Sequence, residues 1–141
     1  MPAINFFEED TRFKFTGKLK IKKWIKETIA AEGFKLSELN YIFCSDDYLL
    51  QINQQYLDHD TLTDIITFDN SEVKKEIVGD IFISIDRVKE NAQKFEVTTM
   101  HELQRVLIHG ALHLCGYKDK SPVDKTLMTQ KEDFYLNNIT D

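Results

Sequence analysis

Residues 98–116 read TTMHELQRVLIHGALHLCG, and this stretch has the pattern of an amphipathic helix. Apolar residues recur at the spacing of one helix face, namely Leu103, Val106, Leu107, Ala111 and Leu114. Thr99 and Glu102 have the spacing of a capping box, and Gly116 stands where a left-handed residue commonly ends a helix. We therefore expect a helix whose apolar side packs against the rest of the molecule.

Strand patterns dominate the sequence upstream of this helix. They occur at AINFFEE (3–9), ELNYIFCS (38–45), DIITFDN (64–70) and VGDIFISI (78–85). Further helical patterns separate or follow them, at residues 18–33, 46–57 and 86–95. This order predicts an α/β (α+β) fold in which a single mixed sheet is covered by helices.

The predicted helices also carry start and stop signals. Gly33 is expected to end the first of them, and Asp46 to cap the second. A last helix should begin after Ser121, with Pro122 at its first position and Asp124 in its first turn.

The composition is typical of one soluble domain spanning residues 1–141. The chain is 42% hydrophobic and 30% charged, and it contains no apolar run near the ~18 residues of a membrane span. Its first residues, MPAINFFEED, lack the features of a signal peptide. Cys44 and Cys115 lie in apolar stretches and indicate reduced thiols. These observations predict a cytoplasmic protein.

The charge distribution is uneven. A formal net charge of −6 disfavours a protein that binds nucleic acid over its whole surface. The stretch RFKFTGKLKIKKWIK (12–26) nevertheless holds seven basic residues and no acidic one. It is either the solvated face of a helix or a patch that contacts phosphate.

The helix of residues 98–116 contains a candidate metal site. His109 and His113 are four residues apart, so their imidazoles lie on one helix face. Gly116 can reverse the chain, which brings Asp119 back toward the same point. The pattern H-x-x-x-H-x-x-G-x-x-D resembles the metzincin motif with Asp as the third ligand. Three protein ligands leave one position open, so we expect one catalytic Zn²⁺ on a zincin-like helix, although Ni²⁺ or Co²⁺ would also suit these ligands.

Gly110 separates this pattern from that of a metalloprotease. Zincins place their general base, a glutamate, at this position. Peptide hydrolysis is therefore disfavoured unless Glu102 or another carboxylate serves instead. A glycine inside a helix costs about 1 kcal/mol relative to alanine. Its presence predicts a close approach to the helix backbone, either by a substrate or by a packed strand.

The motifs together resemble those of the YbeY family of metal-dependent endoribonucleases. HGALHLCGY is similar to that family's H-G-x-L-H-L-x-G-Y-D-H signature. Further segments match in the same order over roughly residues 40–135: NQQY (53–56), LTDIITFD (62–69), GDIFIS (79–84), and Met128 with Glu132.

The resemblance implies a function in ribosome maturation. It implies a cytoplasmic, zinc-dependent endoribonuclease that prefers single strands. It also implies processing of the 3′ end of small-subunit rRNA and ribosome quality control. The implied partners are rRNA, a small-subunit ribosomal protein and an assembly GTPase, and no membrane is implied. His109 and His113 would be both metal ligands and catalytic residues.

Two positions depart from the family pattern. Asp119 stands where the family has its third histidine, and carboxylate oxygen is a competent zinc ligand. Leu57 stands where the family has an arginine thought to contact RNA phosphate or assist catalysis. Arg105, one turn before His109, is the nearest candidate to replace that arginine as a catalytic residue.

The departure at Leu57 keeps an alternative function open. The chain would then be a ribosome assembly factor that contains zinc but has no catalytic activity. A metalloprotease or amidase-type hydrolase is a further alternative, and the glycine at position 110 weighs against it.

Overall fold

The computed structural model describes residues 3–14, 16–57 and 63–139. Within these ranges the chain forms four strands and five helices, whose order and type are those predicted from the sequence. In chain order they are β1 (Ala3–Glu9), α1 (Lys18–Ala31), β2 (Lys35–Cys44), α2 (Asp46–Leu57), β3 (Ile65–Asp69), β4 (Glu76–Ser84), α3 (Ile85–Lys94), α4 (Thr99–Leu114) and α5 (Pro122–Asn138).

The four strands form one mixed sheet, as predicted, in the order β1-β2-β4-β3. The pairs β1–β2 and β2–β4 are parallel, whereas β3 and β4 are antiparallel. Strand β2 begins three residues earlier than predicted, at Lys35. The reason is tertiary, because Lys35 and Leu36 pair with Glu76 and Ile77 across a register shift.

The sheet is covered by helices on both faces. One face carries Tyr41 and Ile81, and it packs with side chains of α1, α3, α4 and α5 into the larger hydrophobic core. The other face carries Ile66 and Phe82 and packs against α2 in a smaller cluster. Neighbouring residues of β4 thus belong to different clusters, as the alternation of side chains along a strand requires. The fold class predicted from the sequence is confirmed.

Two of the predicted helix caps are wrong by one residue. Thr98, rather than Thr99, caps α4, because its backbone is extended and its side chain accepts a hydrogen bond from the His101 N–H. Two adjacent threonines made both registers plausible in the sequence. Ser45, rather than Asp46, caps α2 by accepting from the Tyr48 N–H. The predicted cap at Ser121 is confirmed, since its hydroxyl accepts from the Asp124 N–H.

The basic stretch of residues 12–26 runs through the β1–α1 connection into α1. Ile21, Trp24 and Ile25 are buried, whereas Lys23 and Lys26 are exposed. This arrangement is compatible both with a solvated helix face and with a phosphate contact. No helix in the described part of the chain is long and apolar enough to cross a membrane.

Candidate active site and metal centre

A cleft of about 300 Å³ lies where α4, α5, the start of β3 and the loop after α4 meet. Helix α4 contributes Glu102, Arg105 and His109 because residues three and four apart share one helix face. The complete lining is Thr63, Asp64, Ile65, Glu102, Arg105, Val106, His109, Asp119 and Glu132. Most of its polar groups are therefore ionisable.

Glu132 of α5 joins two side chains of α4. One carboxylate oxygen, Oε2, lies 2.6 Å from Nδ1 of His109. The other, Oε1, accepts a hydrogen bond of 2.8 Å from the Arg105 guanidinium. Arg105 also donates to Asp133 at 2.7 Å. Because Glu132 is only 8% exposed, this chain of contacts fixes the orientation of the His109 ring.

Asp119 faces the opposite side of the same imidazole. Its Oδ2 lies 3.3 Å from Nε2 of His109, so the structure brings two of the three predicted ligands together. His113 is exposed on the last turn of α4 and lines, together with Asp119, a neighbouring cavity of about 400 Å³. The place of His113 as the third ligand stays a prediction. Among the described residues, no group of three or more His, Cys, Asp or Glu is arranged to hold an ion.

The donor atoms fit a metal ion in their chemistry. Imidazole nitrogen and carboxylate oxygen are both zinc ligands. A ligating histidine usually binds through one ring nitrogen while a carboxylate holds the other. The contact between Glu132 and Nδ1 leaves Nε2 of His109 directed at Asp119, which is the arrangement such a ligand needs.

The acidic surroundings change the pKa values in the cleft. Burial alone would lower the pKa of His109, but the hydrogen bond and charge of Glu132, with the charges of Asp119 and Asp64, raise it. Burial raises the pKa of Asp64 and, together with the charge of Asp64, that of Glu102. The cleft thus favours the protonated forms of His109, Asp64 and Glu102.

Gly110 packs against the sheet. A Cβ atom built at this position would lie 2.9 Å from Cδ1 of Ile81 and 3.0 Å from Cδ1 of Ile65. Of the two close approaches predicted, the packed strand is therefore the one observed. This contact packs α4 closely against β3 and β4, and so it sets the distance between His109 and the sheet.

Three acidic groups in or beside the cleft could not be assigned a role from the sequence. Glu132 belongs to one motif that resembles the family, Asp64 belongs to another, and Asp133, beside the cleft, belongs to none. The only sequence signal for Glu132 was its place in the M-x-x-x-E pattern, because its contact with His109 spans 23 residues.

Comparisons with known proteins extend these observations. The family model for Endoribonuclease YbeY matches residues 4–140. A protein of that name from Cytophaga hutchinsonii is 57% identical over 135 residues, covering 96% of this chain and 94% of its own. Another, from Flavobacterium psychrophilum, is 54% identical over 127 residues, covering 90% of each. The solution structure of TM1509 from Thermotoga maritima superimposes with a TM-score of 0.67 at 29% identity, covering 97% of this chain and 89% of that one.

The fold and the cleft are those of an α/β protein with a histidine-bearing helix beside acidic groups. The chain belongs to the Endoribonuclease YbeY family. The family resemblance inferred from the sequence motifs is thereby confirmed.

Proposed function

We propose that this protein is a metal-dependent endoribonuclease that acts on single-stranded segments of rRNA during ribosome maturation. The relatives named as endoribonucleases support RNA, rather than a peptide, as the substrate. The proposal includes the 3′ end of small-subunit rRNA as the processed region. It also includes the cytoplasm as the location, and a small-subunit protein and an assembly GTPase as partners.

The observation that carries the proposal is the orientation of His109. Glu132 holds Nδ1, and Asp119 stands at Nε2, so Nδ1 is occupied and Nε2 is directed at a second predicted ligand. We propose His109, His113 and Asp119 as the residues that would hold one Zn²⁺. When bound, that ion supplies a Lewis acid that polarises a phosphate oxygen.

Arg105 is placed to position Glu132. Its guanidinium is held by Glu132 and Asp133, and both contacts are short. A contact between Arg105 and an RNA phosphate, in place of the family arginine absent at Leu57, stays a prediction. The ion pairs support a second role, in which Arg105 fixes the carboxylate that orients His109.

An RNA cleavage assay tests the proposed function. The purified chain, loaded with Zn²⁺, should cleave a single-stranded rRNA fragment, and a chelator should abolish the cleavage. His109→Ala should also abolish it, because the ligand and its orientation are lost together. His101→Ala is the matched control, since His101 is an exposed histidine of the same helix outside the cleft, and it should cleave like wild type.

Two results would contradict the proposal. One is cleavage that survives both chelation and His109→Ala. The other is binding of rRNA without any cleavage by the zinc-loaded protein. The second result would favour the alternative of an assembly factor without catalytic activity.

A further inference from the structure

Glu102 is a buried carboxylate in the wall of the cleft. The residue is 5% exposed and forms part of the cleft wall. Among the described residues, its carboxylate makes no hydrogen bond or ion pair. Every fully buried side-chain oxygen in that part of the chain has a hydrogen-bond partner. Because the carboxylate oxygens of Glu102 have none, they are not fully buried and reach the space of the cleft.

The charged groups around Glu102 explain why it stays unpaired. Arg105 is one turn away on the same helix, but its guanidinium is already held by Glu132 and Asp133. Asp64, at the start of β3, and Glu132, on α5, add negative charge nearby. Burial first, and then the charge of Asp64, raise the pKa of Glu102; Arg105 lowers it and Glu132 raises it further. Glu102 therefore holds a proton at higher pH than an exposed glutamate.

Two other carboxylates of the cleft, Glu132 and Asp119, already have a partner, whereas, among the described residues, Asp64 is held only by its own backbone. Glu132 is held by Arg105 and His109, and Asp119 faces His109. Glu102 is two helical turns before His109, about 10 Å along the axis. Both side chains line the same cleft, whose volume of about 300 Å³ is large enough for a phosphate group.

We infer that Glu102 is a catalytic residue that carries a proton in RNA cleavage, an assignment that rests on the proposed endoribonuclease function. The leaving nucleoside oxygen takes a proton from the neutral Glu102 carboxyl as its bond to phosphorus breaks. The attacking hydroxyl, of water or of the ribose 2′ position, forms the new bond to phosphorus and loses one proton. That proton restores the neutral carboxyl, so atoms and charge balance over one turnover.

Glu102→Gln tests this role with nearly unchanged shape. General acid catalysis contributes about 10²–10⁴-fold, so kcat should fall by at least roughly 100-fold while KM changes little. In wild type the rate should fall as pH rises through the Glu102 pKa, and the variant should lack this alkaline limb. Glu102→Asp should recover part of the rate. Glu72→Gln, the same change at an exposed residue of the β3–β4 turn, should behave like wild type.

Thermal unfolding provides a readout that does not depend on activity. A carboxyl whose pKa is raised by folding contributes stability below its unfolded pKa, and that stability is lost as pH rises through the folded pKa. Glutamine stays neutral throughout. Glu102→Gln should therefore raise the melting temperature relative to wild type at about pH 8 and lose this advantage at about pH 4. If the substitution merely disrupted packing, the melting temperature of the variant would instead be lower than that of wild type at both pH values.

The outcomes separate this inference from the proposed function. A wild type that cleaves no RNA overturns both. If wild type cleaves and Glu102→Gln matches it in kcat and pH profile, only the role of Glu102 is overturned. A variant that needs more metal for half-maximal rate, with an unchanged pH profile, also overturns it, because Glu102 would then be a metal ligand.

Discussion

At the scale of single residues, Asp119 offers a direct test of the predicted metal site, because it stands where the family pattern predicts a histidine. We expect Asp119→His to keep zinc affinity, because both side chains can supply one ligand from the loop after α4. Asp119→Ala supplies none and should lose at least the roughly 10–100-fold in affinity that changes next to a ligand cost. Competition with a chromogenic chelator measures both variants.

Asp124→Ala is a matched control for Asp119→Ala. Asp124 is another aspartate of the neighbouring segment, in the first turn of α5, and it does not line the cleft. If Asp119→Ala binds zinc as tightly as this control, the third ligand lies elsewhere.

The same scale shows where sequence reasoning stops. The spacing of His109, His113 and Asp119 predicted that His109 and Asp119 approach each other, because that depends on one helix and one turn. The pairing of His109 with Glu132 could not be predicted, since it depends on how α5 packs against α4. Local periodicity carries no information about such contacts.

At the scale of elements, the seating of α4 on the sheet depends on Gly110. Alanine should gain about 1 kcal/mol in helix propensity but overpack against Ile81, at a cost of about 1–3 kcal/mol. We expect Gly110→Ala to lower the free energy of unfolding by up to about 2 kcal/mol, measured by urea denaturation.

Ile81→Val supplies the control for this packing argument. It removes the Cδ1 atom that lies 2.9 Å from the added Cβ. The double variant should therefore be more stable than the sum of the two single changes predicts. A Gly110→Ala variant that is more stable than wild type would show that the strand can move aside.

At the scale of the whole molecule, Glu32 connects the first and last helices. It follows α1 and accepts hydrogen bonds from Tyr117, after α4, and from Tyr135 of α5, while Lys131 lies 3.4 Å away. Burial would raise the pKa of Glu32, but the two phenols and Lys131 lower it overall. Its stabilising contribution is present above the unfolded pKa and is lost as pH falls through the folded pKa.

Glu32→Gln should therefore lower the melting temperature near neutral pH, and the difference should shrink under acid conditions. Melting curves between about pH 3 and pH 7 measure this effect. Glu27→Gln is the control, because Glu27 forms an exposed pair with Lys23 at 3.9 Å, which contributes little. Equal melting curves for both variants would contradict the role of Glu32.

The order and type of the elements could be predicted from the sequence because each depends on local hydrophobic periodicity, and that order in turn indicated a sheet covered by helices. The early start of β2 could not, because pairing with β4 recruits Lys35 and Leu36. Glu32 could not be recognised either, since its partners lie 85 to 103 residues away. Contacts between charged residues that are far apart in the sequence do not affect its hydrophobic periodicity.

The contact between Glu132 and His109 also has a consequence for biosynthesis. Chains are made from the N-terminus, and a domain generally folds as one unit. The sheet and α4 emerge first, whereas the carboxylate that orients His109 arrives only with α5. A nascent chain therefore exposes His109 outside the ribosome before Glu132 has followed it, and the cleft is assembled only once α5 has emerged.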